Sequence, residues 1–304
     1  VRRNLPDKKI GISDMRMIEL DDQNVTLHCG ENYLDAIEKY DTVIKTPGMS
    51  FRDVTVPEGV EVTCQTDLFL RFSKCICVGV TGTNGKTTTS YMLGHIFNTL
   101  GHKTAILGTT GYISHSGTRE EGEYTTPEPL VLHKQLSLIK ESGAELGVME
   151  VSSQALDQRR VDGIHFDAAI FTNLTRDHLD YHGTFEAYKE AKHMLFENSS
   201  LAVVNIDDES AAYMLEGTNC RNVTFSINSD NCDYSAKNIR IAASGVKYEL
   251  LSSGNIGRIH FGVPGKFSVY NSMGAAVCLV EMGIDFKAVL DALVACKGIP
   301  GRME

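Results

Sequence analysis

The sequence predicts an α/β protein built on a mostly parallel sheet, and three observations carry that prediction. Residues 74–300 alternate short apolar runs with stretches of helical period, the pattern of successive β-α-β units. The apolar run Cys75-Ile76-Cys77-Val78-Gly79-Val80 passes through a Gly-Lys-Thr segment into Ser90–Phe97, which has an apolar helical face. Residues 233–262 read instead as antiparallel strands, an addition to one edge of the sheet.

Taken in order, Lys9–Ser13 and Val25–His28 read as strands and Tyr33–Tyr40 as a short helix. Asp41–Lys45 is a strand entering the turn Thr46-Pro47-Gly48, Val60–Val62 another strand, and Asp67–Phe72 a helix. These form a small Rossmann-like α/β unit. Beyond it, strands are expected at Ile76–Val80, Thr104–Gly108, Leu146–Val151, Ala168–Asn173, Leu201–Asn205 and Asn222–Phe225. Helices are expected at Thr87–Thr99, Pro129–Glu141, Thr184–Phe196 and Ser268–Met282. A further amphipathic helix precedes Gly298-Ile299-Pro300-Gly301.

A chain of 304 residues favours two domains, here 1–73 and 74–304. A net charge of -10 without a basic run argues against a nucleic-acid partner. No apolar stretch approaches a membrane span, and no secretory h-region opens the chain, so a cytoplasmic protein without a membrane partner is expected. The eight cysteines are scattered and read as small hydrophobes kept reduced. Val1 in place of Met, and an end at Gly301-Arg302-Met303-Glu304 after a turn, suggest cut ends with another domain to follow.

The densest chemistry lies in Thr81-Gly82-Thr83-Asn84-Gly85-Lys86-Thr87-Thr88-Thr89. Glycines let backbone N–H groups close around phosphate oxygens, and a helix N-terminus adds partial positive charge. Lys86 can reach the outer phosphates, and Thr87 or Thr88 can hold Mg²⁺ through a hydroxyl. Val80 stands where the standard pattern has its first Gly. The segment therefore reads as a P-loop variant that binds a nucleoside triphosphate.

Ligands of open parallel sheets sit beyond the carboxyl ends of the strands. Two other loaded segments fall there. Glu150 ends an apolar strand and either ligates Mg²⁺ or is merely solvated; Ser152, Ser153, Gln158 and Arg160 follow it. The segment Thr172–Gly183 holds Asp177, His178, Asp180 and His182, able to bind metal or organise a nucleotide, or else a polar loop with a capping Asp. A zinc reading of His178 and His182 lacks a third ligand and is discounted. By itself Lys192 reads as an exposed helical lysine, and Thr126 as a helix cap with Pro127 in the first turn.

Together these segments resemble the Mur ligases, ATP-dependent amino-acid ligases of bacterial cell-wall precursor synthesis. The likeness rests on Thr81–Thr89, Thr125-Thr126-Pro127-Glu128, Met149-Glu150-Val151-Ser152-Ser153, Thr172–Gly183, Tyr188-Lys189-Glu190-Ala191-Lys192, Asn271 and Pro300–Glu304, and spans 74–304. The central region resembles the members that add the third peptide residue. Ser13-Asp14-Met15-Arg16 and Lys45-Thr46-Pro47-Gly48 resemble the N-terminal domain of the D-glutamate-adding members.

The resemblance implies roles. ATP would be bound by Gly82, Thr83, Asn84, Gly85, Lys86, Thr87, Thr88 and Asn271. Mg²⁺ would be held by Thr87, Glu150, His178 and a carbamylated Lys192, with Lys86, Lys192 and His178 catalytic. The UDP-N-acetylmuramoyl-peptide would meet Arg16, Gly48, Thr125, Thr126, Ser152, Gln158 and Arg160. Gln154 stands where these enzymes usually have His, and Ser268 where Asn is common. The implied reaction forms an acyl phosphate and then an amide with a free amino acid, L-Lys or diaminopimelate, in a monomeric enzyme. A C-terminal amino-acid-binding domain of the family lies outside the chain, so the piece is expected to bind substrates without completing ligation efficiently. The alternatives are D-glutamate addition, relatives that extend poly-γ-glutamate, folate or cyanophycin, and a nucleotide-sensing module without ligase activity.

Overall fold

The computed structural model describes residues 9–45, 54–64 and 75–296. In the N-terminal unit, β1 (Ile10–Asp14) pairs in parallel with β2 (Val25–Cys29), and β3 (Thr42–Lys45) with β4 (Glu61–Cys64). The short helix expected at Tyr33–Tyr40 is a 3₁₀ turn over Asp35–Lys39, in which only Ala36 and Ile37 are buried. With so little apolar surface, a longer helix has nothing to pack on. The turn expected at Thr46–Gly48 and the helix at Asp67–Phe72 lie outside the described residues.

The central domain begins with β5 (Ile76–Thr81) and α1 (Lys86–Thr99), then β6 (Thr104–Gly108), β7 (Gly111–Ile113), β8 (Arg119–Glu120) and α2 (Pro129–Glu141). Next come β9 (Leu146–Glu150), α3 (Ser153–Asp157), β10 (Ala168–Phe171), α4 (Leu179–His182) and α5 (Phe185–Glu197). The chain continues through β11 (Leu201–Asn205), α6 (Ala211–Leu215), β12 (Arg221–Ser226), β13 (Tyr234–Ala242), β14 (Gly245–Ser252) and β15 (Asn255–Phe261). The helices α7 (Lys266–Glu281) and α8 (Phe286–Val294) complete it.

One 11-stranded sheet runs β15-β14-β13-β12-β11-β10-β5-β9-β6-β7-β8. The pairs from β12 to β6 are parallel, and β13–β15 form the antiparallel edge the sequence foretold. The antiparallel β7 and β8 at the other edge carried no readable signal, being three and two residues long.

Alternating side chains divide two apolar cores between the faces. Val78 and Val80 of β5 pack with Met92 and Ile96 of α1 and with α7 and α8. Cys77, Leu107, Met149 and Phe171 pack against α2, α3 and α5. After β6 and β9 on one side, the chain crosses β5 to reach β10. Side chains at the carboxyl ends of β9, β5 and β10 therefore surround one crevice, the switch point where ligands enter such sheets.

Candidate active site

The loop after β5 is held by the loop after β10. Asn84 and Asn173 form a reciprocal amide pair, with Asn84 N donating to Asn173 Oδ1 and Asn173 Nδ2 to Asn84 O, each at 3.0 Å. Thr83 N donates to Asn173 O at 2.9 Å, and Thr83 Oγ1 lies 3.1 Å from the Tyr188 hydroxyl. Gly85, at φ 91°, caps α1 in the left-handed region. A Cβ there would stand 2.4 Å from Asn271 Oδ1, so glycine is required twice over, by backbone angle and by the buried Asn271. This brings Asn271 of α7 against the phosphate loop. Its neighbour Ser268 is buried and donates to Pro264 O at 3.0 Å.

Two lysines meet at one carbonyl. Lys86 Nζ donates to Gly82 O at 2.7 Å, and Lys192 Nζ to the same oxygen at 3.1 Å. Lys192 also lies 3.4 Å from Thr81 Oγ1 and 4.8 Å from the Tyr188 ring centroid. The reading of Lys192 as an exposed lysine is corrected: its exposure is 1%. It points from α5 into the crevice, on the same side as the buried Tyr188, Ala191 and Leu195. Burial, reinforced by the charge of Lys86, pushes its ammonium well below the ordinary lysine value. The surroundings thus favour the neutral amine over the ammonium.

Glu150 is not a solvated strand-end acid either, being fully buried. It accepts from Thr87 Oγ1 at 2.9 Å, Thr109 N at 3.0 Å and Thr109 Oγ1 at 3.1 Å. Burial raises its carboxyl above the usual range, while those hydrogen bonds and Lys86 oppose the rise. Between the hydroxyls the sequence left open, Thr87 is the one that faces Glu150; Thr88 is half-buried beside it. A buried carboxylate and a hydroxyl at the helix N-terminus suit a hard cation that prefers oxygen donors. Lys192 suits it only after conversion to a carboxylate-like group. Among the described residues, no group of three or more His, Cys, Asp or Glu side chains could hold a metal. The zinc reading therefore has no geometric support there.

Thr126 does not cap a helix. Its hydroxyl donates to Glu150 O and accepts from Ser152 N, each at 2.9 Å. The cap position of α2 is Glu128, followed by Pro129 at the first helical residue. Residues 125–126 are instead stitched to the end of β9. Thr125 Oγ1 lies 3.1 Å from Thr109 Oγ1, and Ser152 accepts from Ala155 N as the cap of α3. Arg160 binds Thr126 O at 3.0 Å, Glu128 at 2.9 Å and Gln158 Oε1 at 2.8 Å, and lies 4.9 Å from the Tyr124 ring centroid.

His178 sits at the mouth with φ 52°, a left-handed conformation that costs a non-glycine residue about 1 kcal/mol or more. Asp177 Oδ1 accepts from His178 N at 2.8 Å and helps secure it. Three side-chain pairs clasp α4 to α3: Gln154 Nε2 to His178 Nδ1 at 3.4 Å, Ser153 to His182 at 2.9 Å, and Tyr181 to Asp157 at 2.8 Å. Gln154, the departure from the family pattern, thus touches His178 directly. The structure does not bring Arg16 to this crevice; it is exposed and pairs with Asp14. Gly48 lies outside the described residues. Sequence reasoning did not single out Thr109, Tyr124, Tyr181 or Tyr188 as site residues. Tyr181 and Tyr188 entered only as members of the segments Thr172–Gly183 and Tyr188–Lys192.

Comparison with known proteins follows the same lines. The Mur ligase middle domain matches residues 80–279. The UDP-N-acetylmuramoyl-L-alanyl-D-glutamate--2,6-diaminopimelate ligase of Bacillus licheniformis is 39% identical over 236 residues, covering 75% of this chain and 48% of that protein. The enzyme of the same name from Parabacteroides distasonis is 40% identical over 235 residues, covering 76% and 47%. The chain thus spans about half the length of the curated relatives it matches. A solved structure of a UDP-N-acetylmuramoyl-L-alanyl-D-glutamate--2,6-diaminopimelate ligase aligns at TM-score 0.70 and 29% identity, over 82% of this chain and 55% of that one. A pseudomurein peptide ligase type C from Methanothermus fervidus shares the fold at TM-score 0.60 and 21% identity, over 99% of this chain and 68% of its own.

Proposed function

The chain belongs to the Mur ligase family, and from that premise we propose that it serves ATP-dependent addition of the third residue to UDP-N-acetylmuramoyl-L-alanyl-D-glutamate. Diaminopimelate is the amino acid named for the relatives, and it takes precedence over L-Lys and over D-glutamate addition. The observation that carries the reading is the convergence of Lys86 and Lys192 on Gly82 O, beside the buried Glu150–Thr87 pair. A nucleotide-sensing module would need neither a buried amine nor a buried carboxylate at its phosphate loop.

In this reading the unit at 9–64 holds the uridine diphosphate and the domain at 75–296 holds ATP and the peptide. Backbone N–H groups of 82–87 bind the phosphates, and Lys86 swings from Gly82 O to neutralise charge on the γ-phosphate. Arg160, freed from Glu128, orients the substrate carboxylate for attack on phosphorus. That attack forms the acyl phosphate and expels ADP; the amine of the incoming amino acid then displaces phosphate to form the amide. Addition of the Lys192 amine to CO₂ with loss of a proton would give a carbamate, and this group with Glu150, Thr87 and His178 would hold Mg²⁺; the ion would supply charge neutralisation and phosphate orientation. Such a reaction on nucleotide-linked precursors belongs in the cytoplasm. No helix among the described residues is long and apolar enough to cross a membrane.

Binding of Mg-ATP, UDP-N-acetylmuramoyl-L-alanyl-D-glutamate and UDP-N-acetylmuramoyl-L-alanine to the 304-residue chain tests the reading by calorimetry. The dipeptide substrate should bind roughly tenfold tighter than the shorter one. A phosphate-release assay crossing both acceptors with D-Glu, L-Lys and diaminopimelate tests the chemistry. Binding of neither UDP-substrate, or release with D-Glu and the alanyl acceptor alone, would overturn it.

A further inference from the structure

The loop after α3 faces two ways. Arg160 turns toward Thr126 and Glu128 at the crevice, with a side-chain exposure of 10%. Its neighbour Arg159, at φ 56°, turns the other way and meets Asp162 Oδ2 at 3.4 Å. The same oxygen accepts from Lys45 Nζ at 2.9 Å, and Lys45 is the last residue of β3 in the N-terminal unit. This ion pair joins residues 117 apart in sequence, with side-chain exposures of only 14% and 18%. Solvent therefore screens it far less than a surface pair. Backbone bonds make the loop stiff: Arg160 N donates to Ala155 O at 2.8 Å, Asp162 N to Arg159 O at 3.2 Å and Ile164 N to Val161 O at 3.0 Å.

We infer that Asp162 is a positioning residue that, through Lys45, sets the N-terminal unit at a fixed distance from Arg160 and Gln158, so that both ends of one long UDP-linked substrate are held together. The inference rests on the reading proposed above, in which the N-terminal unit takes the uridine diphosphate and the central domain the peptide. A substrate gripped at two places gains affinity from the second grip only when the two are held at the matching span. Loss of the Lys45–Asp162 tie leaves each grip intact and removes the span. The pair lies between β3 and the loop that carries Arg160, so its effect passes through Arg160 and β3.

Calorimetry on the 304-residue chain with three probes tests this: UDP, UDP-N-acetylmuramoyl-L-alanyl-D-glutamate and Mg-ATP. In Asp162→Asn and in Lys45→Met the whole substrate should bind roughly tenfold more weakly. Affinities for UDP and Mg-ATP should stay within about twofold of the parent, since neither ligand spans the two units. Lys45→Arg, which keeps the charge facing Asp162, should retain most of the parent affinity. Unchanged binding of the whole substrate in both single variants would overturn the proposal. So would an equal loss for UDP alone, a parallel loss for Mg-ATP that marks general misfolding, or a loss in Lys45→Arg as large as that in Lys45→Met. A parent chain that binds UDP but not the dipeptide substrate strikes instead at the proposed function, and the two-grip inference falls with it.

Discussion

The floor and the rim of the crevice are built on different physics. The floor, Thr87, Glu150 and Lys192, is sealed among strand ends and helix, with Glu150 at 0% and Lys192 at 1% exposure. The rim, Arg160, Gln158, Thr125 and His178, stands on loops and short helices and is partly or fully open to solvent. Buried ionisable groups have protonation states dictated by their surroundings, and removal of one partner leaves the other stranded. Exposed groups find water in place of a lost partner. Chemistry should therefore depend steeply on the floor and in graded fashion on the rim.

The largest expected effects lie at the floor, at Lys192, and at Lys86, the half-buried lysine that shares Gly82 O with it. Lys86→Ala and Lys192→Met should each lower the ligation rate roughly 10²- to 10³-fold in the phosphate-release assay. A loss below tenfold for Lys192→Met would break the division between floor and rim. Next is Glu150→Gln, which keeps the shape but not the charge. It should raise the Mg²⁺ concentration needed for half-maximal ATP binding by about 10- to 100-fold; an unchanged Mg²⁺ requirement would place the cation elsewhere.

Stability against pH sharpens the same contrast. Because the folded-state pKa of Lys192 lies below its unfolded value of 10.5, the unfolded chain binds more protons between the two. The penalty for burying this lysine is complete below the folded pKa and fades as pH rises toward 10.5. With EDTA present and CO₂ excluded, Lys192→Met should therefore gain Tm relative to the parent as pH falls. Thermal melts across that range check the sign, and a Tm difference independent of pH would contradict the assigned burial.

Rim substitutions should be milder. Arg160→Ala should weaken the UDP-N-acetylmuramoyl-dipeptide about tenfold, with Mg-ATP affinity unchanged, because a charged hydrogen bond is worth about 1.5–3 kcal/mol. Tyr181→Phe removes one half-exposed bond to Asp157 and should shift the Mg²⁺ requirement by only about two- to threefold. A collapse as large as that of Lys192→Met would mean that the α3–α4 clasp belongs functionally to the floor.

Much of this fold was legible because its signals are local. Strand runs at Thr104–Gly108 and Leu201–Asn205 and the helix at Pro129–Glu141 have the bounds read from pattern alone. The strand expected to reach Asn173 stops at Phe171, because Thr172 and Asn173 turn to bind the phosphate loop. Thr126 misled for a similar reason. A Thr before Pro and a helix is a cap pattern, but the hydroxyl found its partners on β9, whose approach no local pattern records.

By itself the sequence determined the strand–loop–helix over Ile76–Thr99, its glycines and Lys86, because those requirements act among neighbours along the chain. Only the tertiary structure decided that Lys192 is a buried amine beside Lys86, and that Thr87 rather than Thr88 faces Glu150. It also set Arg160 and Asp162 on opposite sides of one loop. Burial and charge state belong to a place in space, and that place is made by segments far apart in sequence.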